Sequence, residues 1–161
     1  MTITLYATTE KVAVAWIASI PGLTAAGVGT QLPAAETEWG SADGTPGYVV
    51  VPVTVGGTPM ANAPVQRPVV QVECWATIPG SDYLPWNAAA QLPEQIRMAT
   101  YDRSGAFSRL LDLGPGYPAA RVLAATILTQ PHRVWSDEGD YAGYLLNLML
   151  QFVGAGEEIQ Q

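Results

Sequence analysis

One cysteine, one histidine and one lysine in 161 residues remove several kinds of chemistry at the outset. Cys74, standing alone, can close no internal disulfide. A thiol within an apolar run is a small buried hydrophobe, which suits a reducing, cytosolic setting. His132 has no second histidine or nearby cysteine with which to build a zinc-type cluster. As a catalytic base it needs a nucleophile and an acid from elsewhere, and the neighbouring Ser136 and Asp137 lie in a turn without a G-x-S-x-G elbow. Lys11 follows no glycine-rich loop, and Gly27-Val28-Gly29 lacks the third glycine and preceding strand of a dinucleotide site. Asp137, Glu138 and Asp140 crowd one turn rather than taking the spaced positions of an EF-hand loop. Enzyme activity is disfavoured by what is missing, and no cofactor or metal is expected.

Charge is also scarce, at 13% of residues, and its balance is acidic, with a net −7. The cations, Lys11 and arginines 67, 97, 103, 109, 121 and 133, are scattered. Gripping a phosphate backbone needs clustered positive charge, so tight nucleic-acid binding is excluded. No run approaches the roughly 20 apolar residues of a membrane span. The apolar run Val12 to Leu23 has only Glu10-Lys11 before it, not the positive n-region of a secretory signal.

What the chain does have is 48% hydrophobic residues, with 13 prolines and 16 glycines spread along its length. That composition predicts one folded domain over residues 1–161, with long loops and a C-terminal tail at about 155–161. Its centre is the late pair of apolar segments, Arg121 to Trp135 and Tyr141 to Val153, joined by Ser136-Asp137-Glu138-Gly139-Asp140. Leu146, Leu148, Leu150 and Phe152 share one parity and Asn147, Met149 and Gln151 the other, the alternation of a half-buried strand. Val122, Ala124, Thr126 and Leu128 are expected to share a face of its antiparallel partner.

Upstream, Thr8-Thr9-Glu10 opens a helix whose stripe is Val12, Ala13, Trp16, Ile17 and Ile20, and Pro21-Gly22 ends it. Val28-Gly29-Thr30 reads as a short strand, and Glu36 to Gly47 as a turn-rich, flexible loop. Tyr48 to Val55 is a strand that Pro52 consigns to an edge or irregular position. Gly56-Gly57 reads as a turn, and Thr58 to Pro68 as a projecting arm. Val70, Val72 and Cys74 then point one way, Gln71, Glu73 and Trp75 the other. Ala89, Leu92, Ile96 and Ala99 predict a second helix over Asn87 to Ala106, with Pro93 an irregularity inside it. Leu110 to Pro118 reads as a loop. The order predicts an α+β fold of two layers, a mostly antiparallel sheet with two helices packed on one face.

Five tryptophans and seven tyrosines, with Trp75, Trp86, Trp135 and Tyr83 on outward parities or in loops, are many for one domain to hide. They serve either self-assembly or a single core with Trp75 under the helices, and the residues alone leave both readings open.

The opening helix ending in Ile20-Pro21-Gly22, the strand Tyr48-Val49-Val50-Val51-Pro52-Val53, the strand Val70-Gln71-Val72-Glu73-Cys74-Trp75-Ala76 leading to the alanine-rich helix, and the closing hairpin resemble the tail terminator (tail completion) proteins of long-tailed bacteriophages, especially those of actinobacterial hosts. The resemblance covers roughly Glu10 to Gly154. It implies a virion structural protein, assembled in the host cytoplasm, that forms a homo-hexameric ring on the tail tube protein. Such a ring ends tube growth, meets the connector proteins of the head, and lets genomic DNA pass through its lumen without specific binding. An acidic lumen repels the DNA backbone and lets it slide. The interface residues expected on this reading are Thr58, Met60 and Arg67 in the arm, Trp75 and Trp135 on the strands, and Asp137, Glu138 and Asp140 at the hairpin tip. The alternatives are a head-side adaptor of the same neck, or a small hydrolase or ligand-binding domain using His132.

Overall fold

A computed structural model describes residues 8–23, 26–60, 64–101, 110–136 and 141–154. Helix α1, Thr9–Ala18, starts where expected: the Thr8 hydroxyl accepts a hydrogen bond from the Lys11 amide, and Val12, Ala13, Trp16 and Ile17 are buried along one stripe. Strand β1, Gly27–Gly29, runs parallel to β2, Tyr48–Val50. Strand β3, Thr54–Gly57, and strand β4, Pro68–Ala76, pair antiparallel. Pro52 falls in the break between β2 and β3, both of which pair with β4, so its missing donor lies outside either strand. Gly56 and Gly57 belong to β3 rather than to a free turn. Gly57 takes a φ of 116° where it passes the Arg67 carbonyl and Pro68, an approach with no room for a Cβ.

Helix α2, Trp86–Tyr101, begins one residue earlier than the spacing predicts and contains Pro93 in its interior. Residues 102–109, which include the predicted end of that helix, lie outside the described residues. Leu110–Leu111 is a short strand, β5, not the start of a loop; it is the partner that the following strand's first residues require. Strands β6, Ala120–Trp135, and β7, Ala142–Gly154, form the expected antiparallel pair.

The strand order is β1-β2-β4-β7-β6-β5, with β3 also on β4. All pairings but β1–β2 are antiparallel. Both helices pack on one face, where Trp16, Ile17, Leu92 and Ile96 meet Val70, Val72, Leu146 and Leu148 in a single core. The fold is therefore α+β, as expected. Each such leucine or valine taken from water contributes about 1.5–3 kcal/mol, so this face dominates stability. Glu10 ties α1 to strand β3, accepting from the Thr54 amide at 3.0 Å and the Thr54 hydroxyl at 2.8 Å.

The parity expected for β6 holds for only part of it. Register shifts between Val122 and Ala124, between Ile127 and Thr129, and between Thr129 and His132 change which residues face the helices. Val122, Ala125 and Ile127 therefore pack on the core, while Thr126 and Leu128 are exposed. A bulge re-aims side chains without altering composition, so a simple alternation fails there.

Candidate interaction surface

The sheet's other face carries Gln71, Glu73 and Trp75 of β4, Tyr48 and Val50 of β2, and Gly143, Leu145, Asn147, Met149 and Gln151 of β7, as the cross-strand registers require. At one end the segment before β2 covers it. A single 3-10 turn, Glu36–Glu38, leads to Trp39, which is buried with Val50 and Trp75 and meets Tyr141 edge-on at 5.0 Å. Asp43 holds this segment in a compact turn, accepting from the Thr45 hydroxyl and amide and from the Ser41 hydroxyl. Those three donors, the Thr45 hydroxyl foremost, keep the Asp43 carboxyl below its ordinary pKa. The loop read as flexible is thus internally bonded and anchored by a tryptophan.

Beside this cover lies a groove of about 490 Å³, with Leu32, Val50, Trp75, Val134 and Tyr141 in its walls and Glu73 as its charged residue. Glu73 Oε1 accepts from Gln71 Nε2 at 2.9 Å, and Oε2 from Trp75 Nε1 at 3.3 Å. Further along, Leu145, Asn147, Met149 and Gln151 are half-buried, with Asn147 Nδ2 donating to the Thr129 hydroxyl at 3.3 Å.

The expected interface residues do not form one patch. Thr58 and Met60 are exposed beyond β3, and the Met60 amide donates to the Val65 carbonyl; residues 61–63 lie outside the described residues. Arg67 is half-buried and its Nε donates to the Thr58 carbonyl at 3.2 Å. Trp75 is 8% exposed, packed on the face away from the helices, so it is neither an open contact residue nor under them. Trp135 is 65% exposed and stands edge-on to Trp86 at 4.9 Å, with the Arg133 guanidinium over the same Trp86 ring at 4.6 Å. Asp137, Glu138 and Asp140 lie outside the described residues.

His132 is exposed on β6, with Nδ1 3.2 Å from the Gln130 carbonyl. Among the described residues no three His, Cys, Asp or Glu side chains converge as a metal site would require. Among them too, no helix is long and apolar enough to cross a membrane. Cys74 is fully buried, and burial, with the Glu73 charge adding to it, pushes its thiol pKa far up.

The residues that sequence reasoning passed over are Glu73, Trp39 and Tyr141. Glu73 was legible only as an outward position of β4, and a lone tryptophan amid turn residues was the one available sign that the loop folds back. The chain matches no family model and no curated protein sequence.

Proposed function

We propose that the chain is a structural subunit that assembles with copies of itself into a ring, the tail terminator of a long-tailed bacteriophage. The observation carrying this reading is the unlike pair of sheet edges. On one side β6 is 16 residues long, yet among the described residues β5 pairs with it at Ala120 and Arg121 alone; on the other side β1 is three residues long. Two different edges on one subunit favour head-to-tail contacts, and a head-to-tail contact closes into a ring when its rotation permits. Leu123 and Leu128 on β6 and Met98 and Tyr101 on α2 are exposed apolar groups of the kind subunit contacts cover. The net charge of −7 suits a lumen that passes DNA without holding it. In this role the subunit caps the tail tube, stops its growth, and meets the head connector.

The test is mass measurement by native mass spectrometry, with negative-stain images of the protein alone and mixed with purified tail tubes. Closed rings of six subunits, found at one tube end, are expected. A protein that remains monomeric at assembly concentrations and never joins tubes would refute the reading.

A further inference from the structure

The groove beside Trp75 has a composition that the ring reading does not use. Its walls are aromatic and aliphatic, from Trp75, Tyr141, Leu32, Val50 and Val134, and Glu73 places a carboxylate among them. An ionised carboxylate offers about four lone-pair sites. Gln71 Nε2 takes one on Oε1 and Trp75 Nε1 takes one on Oε2, which leaves one acceptor site on each oxygen. Among the described residues no cation pairs with Glu73.

We propose that this groove receives the side chain of an arginine carried by a different protein. A guanidinium carries several donors in one plane, enough to supply both Glu73 oxygens, and its charge is matched by that carboxylate. A lysine ammonium meets one oxygen at a time. A neutral apolar ligand would strip water from Glu73 and give no charge in return, and an anion would be repelled.

Among the described residues the chain's own cations, Arg121 included, are already engaged. Lys11 sits over the Tyr117 ring at 4.2 Å, Arg67 donates to the Thr58 carbonyl, Arg97 pairs with Glu94, and Arg133 stacks on Trp86. Taking one of these for a neighbour would break a contact already made, whereas a foreign arginine breaks none.

The test uses the full chain labelled with ¹⁵N, reading the Trp75 indole N–H, which donates to Glu73 and is assigned by its loss in Trp75→Phe. Nα-acetyl-arginine methylamide is titrated in, with the citrulline and norleucine counterparts as neutral controls. A saturable shift of the Trp75 signal is expected with the arginine compound, at least about tenfold weaker with either control. Glu73→Gln should lose the shift while its other indole and amide signals stay in place, showing that the fold is kept. The proposal is overturned by equal binding of citrulline or norleucine, by binding that survives Glu73→Gln, or by no saturable shift at all. It is equally overturned if arginine has no effect while Glu73→Gln lowers the sedimenting mass, since the groove would then be covered by a second copy. The titration outcomes read Trp75 within one subunit and do not depend on whether rings form; only the sedimentation outcome does.

Discussion

A Cβ added at Gly143 would lie 2.3 Å from Cζ3 and 2.5 Å from Cε3 of Trp75, against 3.4 Å where ordinary contact begins. Gly143 faces Trp75 directly across the β4–β7 pair, so the indole lies flat over the place where a side chain would stand. Gly143→Ala therefore forces the ring to give by about 1 Å, and the ring is held on its other sides by Trp39 and Tyr141. Overpacking of this kind costs about 1–3 kcal/mol. Replacing a strand glycine also recovers about 0.5–1 kcal/mol of backbone entropy, which offsets part of the loss. The expected net destabilisation is about 1–2 kcal/mol, or about 2–8 °C in Tm for a chain of this size. Urea unfolding followed by far-UV circular dichroism, with and without Trp75→Leu, isolates the cause. In the Trp75→Leu background the clash is gone, and Gly143→Ala should be neutral or stabilising by up to about 1 kcal/mol. An equal cost in both backgrounds would show that Gly143 is required for some reason other than the indole.

Three further outcomes are expected. A backbone hydrogen bond at Glu10 itself, and those from Thr54, hold its carboxyl below the ordinary 4.5 against the opposing effect of partial burial. Since the folded pKa is the lower one, the stabilisation is complete above the unfolded value and is lost as pH falls through the folded one. Wild type should thus lose stability more steeply than Glu10→Gln below pH 4.5, and parallel acid limbs would exclude a role for the Thr54 bonds. Cys74, buried and with a raised pKa, should not react with Ellman's reagent in the native protein, and its labelling rate in rising urea should follow global unfolding. His132→Ala should change stability by less than about 0.5 kcal/mol and leave ring formation as it was, because the side chain is exposed; a loss of assembly would place it in a subunit contact.

The sequence alone determined the elements whose burial repeats at a fixed period. The 3.6-residue stripe and threonine cap of α1, and the strict alternation of β4 and β7, are visible because each needs only its own residues to declare a buried face. With those in hand, two helices on one face of a mostly antiparallel sheet followed from the need to cover apolar surface. The second face was decided only by tertiary structure. Trp75 has the same outward parity whether it meets solvent, a partner or a loop, and what covers it is Trp39, which lies 36 positions away in a segment with no period of its own. The bulges of β6 leave no mark in the sequence because an extra residue shifts facing without changing composition, and β5 leaves none because two residues are too few for any period. The Glu73 groove was hidden for the same reason: its walls come from the segment after β1, from β2, β4, β6 and β7, and only closure of the sheet sets a carboxylate among aromatic side chains.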